Sequence, residues 1–232
     1  MKINHIEIHN YKGIEQLELT LDPQLNIFIG DNGSGKTALL EALAIAAGSL
    51  FIGIKDTPPK GIGPNDVHIN PAQEQSFPVT IKARGHINNQ PVAWQRQRLK
   101  PKGNTTTRDA ADLSTVGRAL DASVRNGEQV QLPVIAYFAT GRLFIEAQSR
   151  SKAIEKGKNA GSRFRGYEQS LDAKSNFKAF LKWFYLKELS GLQKGSQSLL
   201  ELVRQAMVGT LPDCKNIYYD VDKELGNCCW NL

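Results

Sequence analysis

The sequence predicts an α/β fold, and three observations carry that prediction. Apolar residues alternate with period two through residues 3–29, a glycine-rich segment follows directly on an apolar run, and the residues after it place leucines at helical spacing. With 232 residues, 41% hydrophobic and 22% charged, the chain is long enough to bury a core. Its composition is that of an ordinary globular protein, which excludes wholesale disorder and a fibrous repeat. No run approaches the roughly 20 apolar residues of a membrane-spanning helix. Met1-Lys2-Ile3-Asn4-His5 lacks the apolar core of a signal peptide, so the expectation is a cytoplasmic protein with no membrane partner. Cys214, Cys228 and Cys229 have neither disulfide-framework nor zinc spacing and read as reduced thiols.

Taken in order, Ile3, Ile6 and Ile8 and then Leu17, Leu19 and Leu21 flank the turn-like Asn10-Tyr11-Lys12-Gly13, which reads as a hairpin. A third strand is predicted over Leu25-Asn26-Ile27-Phe28-Ile29, ending at Gly30, and a helix carries Leu39, Leu40, Leu43 and Ala47. Residues 51–78 lose periodicity among Pro58, Pro59, Gly61, Gly63, Pro64 and Pro71 and read as an irregular connection. Strands are expected at 77–83 and 92–99 around the turn 85–89, then a helix at 107–125 and a short buried strand at 132–138 that turns off at Ala139-Thr140-Gly141-Arg142. Residues 148–165 are basic with little to bury; helices follow at 176–189 and 197–208, and strand-like residues at 216–221. There is no internal repeat. We read 1–232 as one domain, with strands, glycine loop and first helix in 1–50, an insertion bearing a β-hairpin in 51–130, and a strand plus helical region in 131–232.

The chemistry concentrates in Gly30-Asp31-Asn32-Gly33-Ser34-Gly35-Lys36-Thr37, which fits GxxxxGK[ST] at every fixed position between an apolar strand and an amphipathic helix. Glycines let successive backbone N–H groups turn inward, and the helix adds its positive end, so main chain holds a diphosphate. Lys36 supplies a mobile cation to the β- and γ-phosphates, and Thr37 a hydroxyl oxygen to Mg²⁺. The cofactors implied are therefore ATP and Mg²⁺, held by Gly30 through Thr37. A serine-hydrolase reading of Gly33-Ser34-Gly35 fails on spacing, because the nucleophile elbow needs GxSxG.

Two strands flanking Asn10-Tyr11-Lys12-Gly13, a third strand, the glycine loop and then Ala38-Leu39-Leu40-Glu41-Ala42-Leu43 resemble the SMC/RecF-type ABC ATPase heads that handle DNA. The insertion, the run Pro133–Phe138 with Gly141-Arg142, and Phe177 to Phe184 look like bacterial AAA-type ATP-binding proteins of the defence and overcoming-lysogenization-defect kind. The resemblance implies a P-loop head with an N-terminal antiparallel β region and a helical insertion. It also implies ATP sandwiched between two heads of a homodimer, DNA and an effector subunit as partners, and Asn10, Lys12 and Gly13 near the base or α-phosphate. A solvated hairpin turn is the other reading of Lys12.

That family hydrolyses ATP with a signature loop, a Walker B strand ending in Asp-Glu, and a switch histidine. Leu189-Ser190-Gly191-Leu192-Gln193 resembles the signature but closes a predicted helix rather than opening one, and in Ile217–Asp222 Val221 stands where the glutamate belongs. The histidines, His5, His9, His68 and His86, all precede it, and no closing strand is expected after Asp220. The expectation is the N-terminal portion of a longer ATPase, which binds Mg-ATP here and hydrolyses it in the complete form. The alternative is a nucleotide-binding module that does not hydrolyse. A small-molecule kinase has no acceptor pocket to recommend it.

The net charge of +6 allows a polyanionic partner. Lys82, Arg84, Arg96, Arg98, Lys100, Lys102 and Arg108, with Trp94 among them, lie in an acid-free stretch that could share one strand face along a phosphate backbone, or form a solvated edge. Arg150, Lys152, Lys156, Lys158, Arg163 and Arg165 read as a basic loop. Arg142 could sense a γ-phosphate or pair with a carboxylate.

Overall fold

A computed structural model describes residues 1–139, 163–172, 177–194, 198–211, 214–219 and 228–231. They fall into two compact units, residues 1–139 with 163–172, and 177–231.

The first unit is built on a four-stranded sheet of order β2-β1-β3-β4, with β1 Lys2–Tyr11, β2 Ile14–Thr20, β3 Val79–Ile87 and β4 Gln90–Arg98. All pairings are antiparallel, and β1 is central, matching Ile6 to Leu19 on one side and to Ala83 on the other. Both predicted hairpins form. Asn88 and Asn89, with φ of 49° and 62°, make the tight two-residue connection between β3 and β4, the left-handed pair that matches strand twist.

Helix α1, Lys36–Ala47, lies under this sheet and buries Ala38, Leu39, Ala42, Ala44, Ile45 and Ala46. Its alanines allow close approach, and full burial of Leu39 or Ile45 contributes about 1.5–3 kcal/mol each. Lys36–Gly53 is apolar enough by length and composition to cross a membrane, with mean hydropathy 1.5 over 18 residues; that apolarity serves the core of this unit. At its far end the carbonyls are occupied. The Trp94 indole N–H donates to Ala46 O at 3.0 Å, the Ser49 hydroxyl to Ile45 O at 3.2 Å, and the Gly48 N–H to Ala44 O and Ala46 O.

A 3₁₀ turn, Gly48–Gly53, follows and meets helix α2, Ala111–Arg125, backbone against backbone. A Cβ on Gly53 would stand 2.0 Å from Ser114 O, and one on Gly117 2.3 Å from Leu50 O. Phe51 stacks on Tyr167 at 4.7 Å, which brings the turn Arg163–Tyr167 onto the same core.

Two predicted strands do not form. Residues 25–29 run without a ladder: the Asn26 side-chain amide accepts from Asp22 N–H and donates to Asp22 O in a local turn, and Ile27 and Ile29 stand 72% and 92% exposed. Residues 132–138 likewise carry no ladder and expose Val134 at 97%, although Tyr137 N–H reaches Ser170 O at 2.7 Å. Apolar alternation marks side chains suited to burial, whereas a strand also needs a neighbouring edge for its N–H and C=O groups.

The basic stretch on β3 and β4 is not one face. Strand alternation turns Arg96 and Arg98 inward with Trp94, and Lys82 and Arg84 to the opposite side. Arg96, 2% exposed, donates through Nε to Thr106 O at 2.8 Å, and Arg98 through Nη1 to Ile62 O at 3.1 Å. Burial lowers the Arg96 pKa to about 10. These arginines pin the loop after β4 and the insertion at Ile62, which fits neither a phosphate-tracking face nor a solvated edge at Arg96 and Arg98. Lys82 pairs with Glu7 at 2.9 Å.

In the second unit, helices α3, Phe177–Lys194, and α4, Ser198–Thr210, pack with strand β5, Asn216–Tyr219, around Phe184, Leu200, Cys214 and Ile217. Arg204 ties them, pairing with Glu188 and donating through Nε to Ile217 O at 2.9 Å. Helix α3 continues through Gly191, so Leu189–Gln193 is helix interior rather than a loop. A closing strand exists after all: β6, Cys228–Asn231, pairs antiparallel with β5. Gly141, Arg142 and Asp220 to Asp222 lie outside the described residues, as does most of the basic segment 148–165.

Gly117→Ala should destabilise the protein by about 1–3 kcal/mol, because the new methyl meets main chain that cannot yield. Gly209→Ala, which meets nothing within 4 Å, should be neutral or stabilise by at most about 1 kcal/mol. Urea denaturation of the two variants against the wild type reads the contrast.

Candidate nucleotide-binding site

The glycine loop takes the form its sequence demands. Gly33 and Gly35 hold φ of 87° and 90°, a region that costs an L side chain about 1–2 kcal/mol. Ser34 N–H closes onto Asp31 O at 3.2 Å, and Leu39 N–H onto Gly35 O at 2.9 Å starts the helix. Gly35 is the N-cap, with no side-chain cap and no acidic residue in the first turn. The first N–H groups of α1 are therefore left for a ligand, and the helix dipole favours an anion there.

Lys36 folds back over the loop. Its ammonium donates to Gly30 O at 2.7 Å, Asp31 O at 2.5 Å and Ser34 Oγ at 3.2 Å. Beside it Thr37 is exposed on the first turn. The loop borders a cleft of about 880 Å³ whose walls include Gly13, Ile14 and Leu17 of the β1–β2 hairpin, Ile27 and Ile29. That volume lies within the range of small-molecule sites, about 300–1,000 Å³.

These residues fit a magnesium nucleotide. The uncapped N–H groups at the start of α1 and the Lys36 ammonium beside them are donors of the kind a polyphosphate would need, and the exposed Thr37 hydroxyl is an oxygen of the kind Mg²⁺ would take. Among the described residues no cluster of three or more His, Cys, Asp or Glu could hold a metal by itself. That donor set suits Mg²⁺ carried in by phosphates and water rather than a resident ion.

The hairpin turn, with Asn10 and Lys12 half-buried and Gly13 exposed, is tied to the insertion rather than free in solvent. Asn10 and Lys12 hold φ of 56° and 52°, and the insertion segment at 66–68 locks them. Lys12 N–H donates to Asp66 O at 2.8 Å, His68 N–H to Asn10 O at 2.9 Å, and His68 Nδ1 to Lys12 O at 2.8 Å. The Lys12 ammonium pairs with Glu41 of α1 and, at 3.4 Å, with Asp66. Burial opposes its charge, but Glu41 and Asp66 outweigh burial and raise the Lys12 pKa. Tyr11, 1% exposed, sits against the same carboxylates; burial first, then Asp66 and Glu41, pushes its phenol far above the usual range. Tyr137 faces Glu41 too, and burial and that carboxylate raise its pKa.

The structure thus brings Gly13 and Ile14 to the cleft that Gly30, Ser34, Gly35 and Lys36 line, and sets Lys12 on Glu41. Sequence reading missed Glu41 and Asp66. Glu41 had a signal, since it follows Thr37 by one helical turn in an otherwise apolar helix. Asp66 had none, lying in an irregular insertion.

Gly33→Ala isolates the backbone requirement, because a Cβ there meets nothing within 4 Å. It should cost about 1–2 kcal/mol of stability through φ alone, read as a lowered urea midpoint with unchanged slope.

Residues 5–207 match the AAA domain family. Among curated relatives, the chain is 22% identical over 221 residues to the Retron Ec83 probable ATPase of Escherichia coli, covering 93% of this chain and 40% of that protein. It is 32% identical over 120 residues to the DNA replication and repair protein RecF of Heliobacterium modesticaldum, covering 49% and 29% respectively. Over 43 residues it is 54% identical to RecF of Phocaeicola vulgatus, 18% of this chain and 12% of that protein. The chain spans less than half the length of each. A solved SMC ATPase, described for ATP-driven dimerization and DNA-stimulated activation, aligns with a TM-score of 0.38 at 16% identity, covering 50% of this chain and 80% of that one. With the match running from residue 5 to residue 207, the chain belongs to the AAA domain family.

Proposed function

We propose that the chain binds Mg-ATP at Gly30–Thr37 as part of an ATPase that acts on DNA or in phage defence in the cytoplasm. The observation that carries this reading is the uncapped N-terminus of α1, reached through two left-handed glycines with a lysine stored on loop oxygens. Main-chain N–H groups from Asp31 to Lys36 would hold the phosphate chain. Lys36, now satisfied by carbonyls, would exchange them for β- and γ-phosphate oxygens, where charge makes the bonds stronger. Thr37 would hold Mg²⁺, whose chemistry is to neutralise charge on the bridged phosphates, and Lys12 would add a second cation.

In this reading two heads sandwich ATP as a homodimer, with DNA and an effector subunit as further partners. Arg84, Lys100, Lys102 and Arg108 remain exposed for a polyanion. A module that binds nucleotide without hydrolysis is the second reading. It is favoured by β5, the segment before Asp220, which pairs among the described residues only with β6, antiparallel.

Lys36→Ala should weaken Mg-ATP binding at least tenfold, the loss expected for a charged hydrogen-bond donor worth about 1.5–3 kcal/mol. Titration calorimetry on the full chain reads it, and retained affinity would remove the phosphate-loop reading. Phosphate release measured on the same protein separates the two functions, since binding without turnover, with or without DNA, supports the module.

A further inference from the structure

Lys12 is held in a way that bears on how the phosphate site is completed, and the inference rests on the nucleotide reading of the glycine loop. Its neighbour Gly13 lines the cleft together with Ser34, Gly35 and Lys36, and Ile14 Cγ1 lies 3.7 Å from where a Gly35 Cβ would stand. The Lys12 backbone is therefore beside the loop, yet its ammonium points away to Glu41 and Asp66. Glu41 follows Thr37 by four residues, which at the α-helical rise places it about 6 Å below Thr37 along the helix axis. A flexible lysine stem can cross that distance without any backbone change.

We propose that Glu41 is a positioning residue: it stores the Lys12 ammonium one helical turn below the phosphate loop and yields it to a bound polyphosphate. The backbone of Lys12 is fixed independently by Asp66 O and His68, so only the side chain moves. Its two stations are a carboxylate pair from α1 and the insertion, and the phosphate oxygens above. Lys36 follows the same pattern at shorter range, stored on Gly30 O and Asp31 O. Glu41 therefore sets what a nucleotide must displace before the second cation reaches it, and weakening that hold tightens binding.

The test is calorimetric titration of Mg-ATP into the full chain as wild type, Glu41→Gln, Glu41→Asp, Lys12→Ala and the double variant Lys12→Ala/Glu41→Gln, with Lys36→Ala as reference. Glu41→Gln keeps the shape of the side chain and removes its charge, so affinity should rise about fivefold, the scale of a part-exposed ion pair. Glu41→Asp keeps the carboxylate and should stay within twofold of the wild type. Lys12→Ala should bind more weakly than wild type, and adding Glu41→Gln to it should change nothing further. A general effect of removing a negative charge near an anion site would tighten the Lys12→Ala background equally, and that result overturns the proposal, as does unchanged or weaker binding by Glu41→Gln. If circular dichroism shows that Glu41→Gln does not fold, Asp66→Asn takes its place with the same expected sign and the same overturning result. Wild-type binding that is lost in Lys36→Ala but indifferent to Glu41 removes this proposal alone. Equal binding by wild type and Lys36→Ala removes the phosphate-loop reading beneath it.

Discussion

The burial of α1 is the constraint on which the first unit depends. The helix is not strongly amphipathic; its buried alanines and isoleucine pack in one core with β1, β3, β4 and the 3₁₀ turn. Because its body is fixed by packing, its N-terminus is fixed too, and the glycine loop has little choice of path. Gly33 and Gly35 take their left-handed conformations where the chain must turn into a helix that cannot shift. The loop geometry follows from the core beneath it rather than from contacts of its own.

The same helix carries Glu41, and through it the hairpin turn and the insertion become part of the site. Tyr11, Lys12 and Tyr137 converge on that one carboxylate, with Asp66 as a second acid beside Tyr11 and Lys12, and burial and the neighbouring acids shift the titration of all three. A segment that reads as an irregular connection thus supplies backbone and side-chain partners that hold Lys12. Its lack of periodicity reflects this: the residues at 64–68 serve local turns and hydrogen bonds to Asn10 and Lys12, and no repeating face is needed.

Much of this was legible in the sequence because local rules decide it. The period-two isoleucines of β1, the turn-forming residues at 85–89, of which only Asn88-Asn89 turn while 85–87 extend the strand, and GxxxxGK[ST] ahead of a leucine-bearing helix each specify structure within a few residues. What was not legible depends on distant partners. Residues 25–29 have strand character and no neighbouring edge among the described residues; Arg96 and Arg98 look like surface charge until strand register turns them toward carbonyls; Gly191 looks like a helix stop until packing carries α3 through it. Asp66 could be found only by knowing what lies beside Lys12.

The two ends of α1 are treated differently, and this has an electrical consequence. At the C-terminal end a buried indole, a hydroxyl and the Gly48 N–H occupy the last carbonyls, whereas the N-terminal end carries no capping side chain. The negative pole is thus insulated within protein, and the positive pole opens toward the cleft. Such a helix behaves less like a dipole in water than like a single positive contact mounted on an apolar support. Trp94, far from the loop in sequence and at the opposite end of the helix, takes part in setting that field.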